Sequence, residues 1–106
     1  MFILAPTETF KAIVKVNVAT PSGAWREESF TGVFQRTHED QREELGTLKN
    51  TELLRRVLVG WEMVDENRNP VEFNDPNFEA FLRLTGAVRE AAIVYWKHNV
   101  GAKEKN

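Results

Sequence analysis

Between Phe10 and Val18 every even position is apolar (Phe10, Ala12, Val14, Val16, Val18), while Lys11, Lys15 and Asn17 occupy odd ones. A period of two places these sets on opposite faces of an extended chain, which predicts a half-buried strand. Ile13 is the apolar exception on its polar face. The cluster Thr20-Pro21-Ser22-Gly23 then has turn chemistry, and a second β-rich stretch runs from about Trp25 to Arg36 with Phe30, Gly32 and Phe34 on one face. Together they predict an antiparallel hairpin.

The period then lengthens. Thr37, with Asp40 three residues on, is placed to cap a helix whose Glu39, Glu43 and Glu44 lie near its dipole-positive end. Its only large apolar side chains are Leu45 and Leu48, so a surface helix with a narrow contact is expected, with Gly46 leaving its C-terminal end undefined. A better-marked helix starts at Asn50 or Thr51. Leu53, Leu54, Val57, Leu58 and Trp61 have the spacing of a wide apolar stripe along one side. Asp65 to Phe73 reads as a loop entering a short extended piece, and Asp75-Pro76 as the N-cap and first turn of a third helix with Phe78, Phe81 and Leu82 inward. Thr85 and Gly86 divide it from a last helix carrying Val88, Ala92, Tyr95 and Trp96 on one stripe, flanked by Ala91 and Ile93. The expected architecture is α+β: an N-terminal antiparallel β-hairpin and about four α-helices, with the even face of the hairpin packed on the Leu53 to Trp61 helix. Residues 1–106 are expected to form one domain, with a flexible tail from about residue 101.

Composition narrows the function classes. Fourteen basic against sixteen acidic residues give a net charge of −2, which offers no attraction for nucleic acid. The absence of cysteine excludes disulfides, thiolate metal sites and a cysteine nucleophile, and fits a reducing compartment. The opening Met1-Phe2-Ile3-Leu4-Ala5 lacks a basic flank and is interrupted by Pro6 and Glu8, so it does not read as a signal peptide. No apolar run approaches the roughly 18 residues of a membrane span.

Candidate chemistry is sparse. Asp65-x-Asn67-x-Asn69 copies the first ligand positions of a calcium loop, but Pro70 stands where the sharp turn needs glycine and Pro76 where a bidentate carboxylate is needed. His38 and His98 have no spacing that links them, and Glu39, Asp40, Glu43 and Glu44 have no apolar neighbours to desolvate them. Ser22 and Ser29 have no nearby histidine, and no phosphate-binding glycine pattern occurs. Neither a catalytic set nor a cofactor or metal site is therefore expected. The aromatics are more telling. Phe10, Phe30, Phe34, Phe78 and Phe81 suit a core, whereas Trp25, Trp61, Tyr95 and Trp96 cannot all point inward and are the expected partner-binding anchors.

The ordered landmarks resemble those of the phage tail assembly chaperones of long-tailed phages and prophages: Met1-Phe2 with Pro6, Thr9-Phe10, the Pro21 turn, Leu53-Leu54 with Val57, Val59-Gly60-Trp61, Phe73, and the ending Gly101-Ala102 with Lys105-Asn106. The resemblance spans nearly the whole chain. It implies a non-enzymatic helper that binds the long, helical tape measure protein, keeps it soluble and helps recruit tail tube protein. Many copies along one tape measure chain would gain from neighbour contacts, so self-association along that chain is a further expectation. It further implies action in the host cell cytoplasm and absence from the mature virion. The alternative is a structural tail or connector adaptor that remains in the particle. Many such chaperones also exist as a frameshifted long form. Codons GAA-AAA-AAC for Glu104-Lys105-Asn106 would contain a heptamer on which ribosomes slip back one base.

Overall fold

The computed structural model describes Leu4 and residues 7–100. Strands β1 (Thr9–Ala19) and β2 (Trp25–Gln35) form the expected hairpin, antiparallel and in unbroken register from Thr9 opposite Gln35 to Ala19 opposite Trp25. Its turn is local chemistry. The Thr20 N–H donates to the Ala24 carbonyl at 2.9 Å, the Thr20 hydroxyl donates to the same oxygen, and Gly23 sits at φ 89°, a backbone region that a side chain disfavours. Ala12 and Val14 are buried and Ile13 is exposed, as the alternation requires.

A third strand, β3 (Leu58–Glu62), pairs antiparallel with β2, giving the order β1-β2-β3. This corrects the expected helix from Leu53 to Trp61: helix α2 (Asn50–Val57) stops where Leu58 turns extended, at φ −88° and ψ 106°. Val59 and Gly60 are poor helix formers, and the free side of β2 supplies the backbone partners that they take instead. Gly32 lies where β2 meets Trp61. A Cβ there would stand 2.8 Å from the buried Phe34 ring, so this close approach requires glycine.

The remaining helices are α1 (Arg42–Gly46), preceded by a 3₁₀ turn at Glu39–Gln41, α3 (Asp75–Leu82) and α4 (Thr85–Val100). Cap positions shift by a residue or so from expectation. His38, not Thr37, precedes the 3₁₀ turn, its N–H donating to the Gln41 side chain at 3.0 Å. Asn74, not Asp75, caps α3 by accepting from the Asn77 N–H, and Arg83-Leu84 rather than Thr85-Gly86 separate α3 from α4.

The even face of the hairpin packs chiefly on α4, through β1, and only through β2 on α2 of the expected Leu53 to Trp61 segment, a second correction. With Trp61 in the sheet, the long last helix is the element that covers the strand. Gly86 lies by Val16 and His98 stacks on Phe10, so α4 runs antiparallel to β1 beneath it. Helices α2 and α3 lean on α4 and are tied to each other by the bidentate Arg55–Glu79 pair. The core gathers Val14, Phe34, Leu45, Leu53, Leu54, Val57 and Tyr95, all essentially inaccessible to solvent. The α+β class holds, as a three-stranded antiparallel sheet with the helices on one face. The expected tail from 101, the ending Lys105-Asn106 and the landmarks Met1-Phe2 and Pro6 lie outside the described residues.

Candidate partner surface

Two of the four expected anchors are core residues. Trp61 is 9% exposed; its Nε1 donates to the Val71 carbonyl at 2.9 Å, and its ring meets Phe73 edge-on at 4.7 Å. Tyr95 is fully buried beside Phe34 and Phe10. Its hydroxyl pairs with that of Thr37, which accepts from Asn99 Nδ2 at 3.1 Å. Thr37 is thus engaged by α4 instead of capping a helix. Burial pushes the Tyr95 phenol up from its ordinary value, with the Thr37 hydrogen bond opposing. Neither side chain has surface to offer a partner.

Trp25 and Trp96 remain, and the fold keeps them apart. Trp25 begins β2 at the far end of the hairpin and is 71% exposed. Trp96 lies ten residues along α4 from Gly86, about 15 Å at 1.5 Å per residue, half-buried edge-on against Tyr95 and bordering a shallow groove with Arg42, Gly46 and Val100.

The surroundings of Trp25 are distinctive. From Asn17 to Ser29 only Thr20 is even partly covered, so both faces of the distal hairpin stand in solvent. β3 pairs only with Thr31 to Phe34, so among the described residues the distal half of β2 has no strand on its outer side. Val18 is 38% exposed, and Arg26 pairs with Glu28 on the same face at 2.5 Å. Where this ribbon meets the body, a groove of about 370 Å³ lies between Lys15, Asn17 and Trp25 of the hairpin and Gly86, Arg89 and Glu90 of α4. Sequence reasoning picked out Trp25 but missed this setting. The signal was present in the run Arg26-Glu27-Glu28-Ser29, which has no apolar residue for either face of β2.

The other candidates resolve into structure. The Asp65 carboxylate accepts from the N–H groups of Asn67 and Asn69 at 2.8 and 3.0 Å, closing a turn in which Arg68 adopts φ 63°. His98 contacts the Val94 carbonyl through Nδ1 at 3.0 Å. Among the described residues no group of three or more acidic or histidine side chains is arranged to hold a metal ion, and no helix is long and apolar enough to cross a membrane.

No protein-family model, curated protein or solved structure matches the chain. Fold and surface together define a small α+β domain with a helix-covered body and a bare, tryptophan-bearing hairpin arm.

Proposed function

We propose that the protein is a non-enzymatic tail assembly chaperone that binds a tape measure protein through the hairpin arm and keeps it soluble until tail tube subunits cover it. The observation that carries this reading is Trp25, held 71% exposed on an arm whose two faces stand in solvent. Aromatic side chains are frequent energetic centres of interfaces, and an indole, with only two side-chain torsions, loses little conformational entropy on docking. A tape measure chain presents apolar helical stripes, and an arm with Trp25 and Val18 offers matching apolar contact within a net acidic protein. The resemblance of the ordered landmarks supports the same partner. On this reading the protein works in the host cytoplasm and is absent from the finished particle. A structural adaptor would instead be found in purified virions.

Co-expression with the cognate tape measure protein tests the reading. Wild type is expected to raise that protein's soluble yield several-fold, Trp25→Ala to lose most of the gain, and Trp96→Ala to lose less. An unchanged yield with wild type would overturn the function. An unchanged yield with Trp25→Ala, the fold being intact, would overturn the site.

A further inference from the structure

Among the described residues, the outer edge of β1 is the longest run of strand that leaves backbone hydrogen bonds unmade in a regular, selective pattern. The Arg36 N–H donates to the Glu8 carbonyl and the Thr20 N–H to the Ala24 carbonyl, so even-numbered residues of β1 turn their N–H and C=O groups toward β2. Odd-numbered residues turn theirs outward. Proteins guard such edges with charged side chains, lysine above all, with proline, bulges, inward charges or short strands. β3 has these protections: it is five residues long, its pairing is bulged, and the turn from Asp65 to Asn69 follows it. β1 has eleven residues, no proline, no bulge and no inward charge; Lys11 and Lys15 guard its proximal and central part, and Asn17 and Ala19 beyond them carry no charge.

We infer that the chain forms a two-fold dimer by antiparallel pairing of β1 with β1 of a second copy, centred on Asn17, giving the strand order β2-β1-β1-β2 across the pair. Such a dimer needs no tape measure protein and stands independently of that reading.

Three features select this register. The first is steric. Pairing centred near Val14 would stack the two copies of α4 within a strand spacing of one another, about 5 Å, which is less than a helix diameter. Centring on Asn17 directs the helix-covered bodies to opposite ends and overlaps only Lys15 to Ala19, of which Val16 alone is packed against the start of α4. The second is electrostatic. Centring on Lys15 sets that lysine against itself, and centring on Ile13 opposes Lys11 to Lys15, whereas centring on Asn17 pairs Lys15 with the partner's Ala19 and Asn17 with the partner's Asn17. On the bare edge of β2 a two-fold axis at Arg26, Glu27 or Glu28 opposes like charges, which disfavours pairing through that run.

The third feature is lateral continuity. Trp25 stands opposite Ala19 in its own chain, so the partner's Lys15 falls next in that row, and the small Ala19 leaves room for its ammonium to reach the indole face. On the other face Val18 meets the partner's Val16, with Arg26 at one end of the row and the partner's Glu28 at the other. The groove between β1 and the start of α4 lies beside Val16, where the partner's Val18 would sit.

Analytical ultracentrifugation of the full chain over a concentration series tests this inference. Wild type is expected to show a reversible monomer–dimer equilibrium. Asn17→Pro removes only an outward N–H, leaves the β1–β2 ladder intact and is expected to give monomer. Because proline could disturb the arm, Ala19→Lys provides a second route. It sets a new ammonium against the partner's Lys15 and is expected to weaken the dimer about tenfold or more, and adding Lys15→Glu is expected to restore it. A wild type that stays monomeric, a dimer indifferent to Ala19→Lys, or a failure of the charge swap to restore pairing would overturn the proposal.

Discussion

The two halves of the hairpin share one register and one turn yet have opposite fates. In the proximal half, β1 from Phe10 to Val14 lies on α4 and β2 from Thr31 to Phe34 is flanked by β3; Ala12, Val14 and Phe34 are buried there. In the distal half Val18 stands opposite Arg26, Val16 opposite Glu28 and Asn17 opposite Glu27. β1 keeps its alternation through both halves, whereas β2 abandons it before Phe30. Burial on this hairpin therefore depends on the covering helix as well as on the pair across the ladder: Val16, opposite Glu28, is still half-buried beside Gly86 of α4. A valine opposite an arginine has half an apolar row and no helix to complete it. The proximal half carries the core, and the distal half stands in solvent.

The largest expected effects lie in the proximal half and its cover. Phe34→Ala should cost about 3–5 kcal/mol and Leu54→Ala about 2–5 kcal/mol by denaturant unfolding, because both sites are closed to solvent and ringed by other core residues. A loss below about 0.5 kcal/mol at either would place it outside the core. Gly32→Ala should cost about 1–3 kcal/mol, since its methyl would enter the space of the Phe34 ring. Tyr95→Phe should cost about 0.5–1.5 kcal/mol, the ordinary loss for one hydrogen bond.

The same phenol gives a pH signature. Its folded pKa is raised, so its contribution is fully present below the unfolded value of about 10 and is lost as pH climbs from there through the folded value. Tyr95→Phe should remove that alkaline loss. The exposed Glu79 behaves in the opposite sense. Its hydrogen bond to Arg55 lowers its pKa, so its small contribution holds above the unfolded carboxylate value and fades as pH falls through the folded one. A double-mutant cycle at Arg55 and Glu79, run at neutral and acid pH, would show that coupling shrink. Smallest of all, Trp25→Ala should change stability by no more than about 0.5 kcal/mol. A larger loss would mean that the arm is part of the folding unit.

Much of this fold was legible in the residues. The period of two in β1, the Thr20 to Gly23 turn and the inward Phe30, Gly32 and Phe34 set the hairpin and its faces, because local alternation and turn chemistry do not depend on distant partners. β3 was hidden for a physical reason. Leu58 and Trp61 both face the core although three residues apart, and a strand permits that only because its pairing with β2 is bulged between Val33 and Phe34. On the sequence that spacing reads as a helix turn. The hairpin's cover was misassigned for the same reason. The candidate surface was half legible. A surplus of aromatics was evident, but nothing local told Trp61 and Tyr95, which find Val71 and Thr37 as polar partners, from Trp25, which faces the small Ala19 across the ladder.

Hydrogen–deuterium exchange, read peptide by peptide on the free chain at low concentration and on its co-expressed complex with the tape measure protein, would separate the two halves directly. Slow exchange in the proximal ladder in both states, with the segment from Trp25 to Ser29 fast when free and protected in the complex, is the expected result. Protection gained over α2 and α3 instead, with the distal hairpin unchanged, would contradict the assignment of the arm as the contact surface.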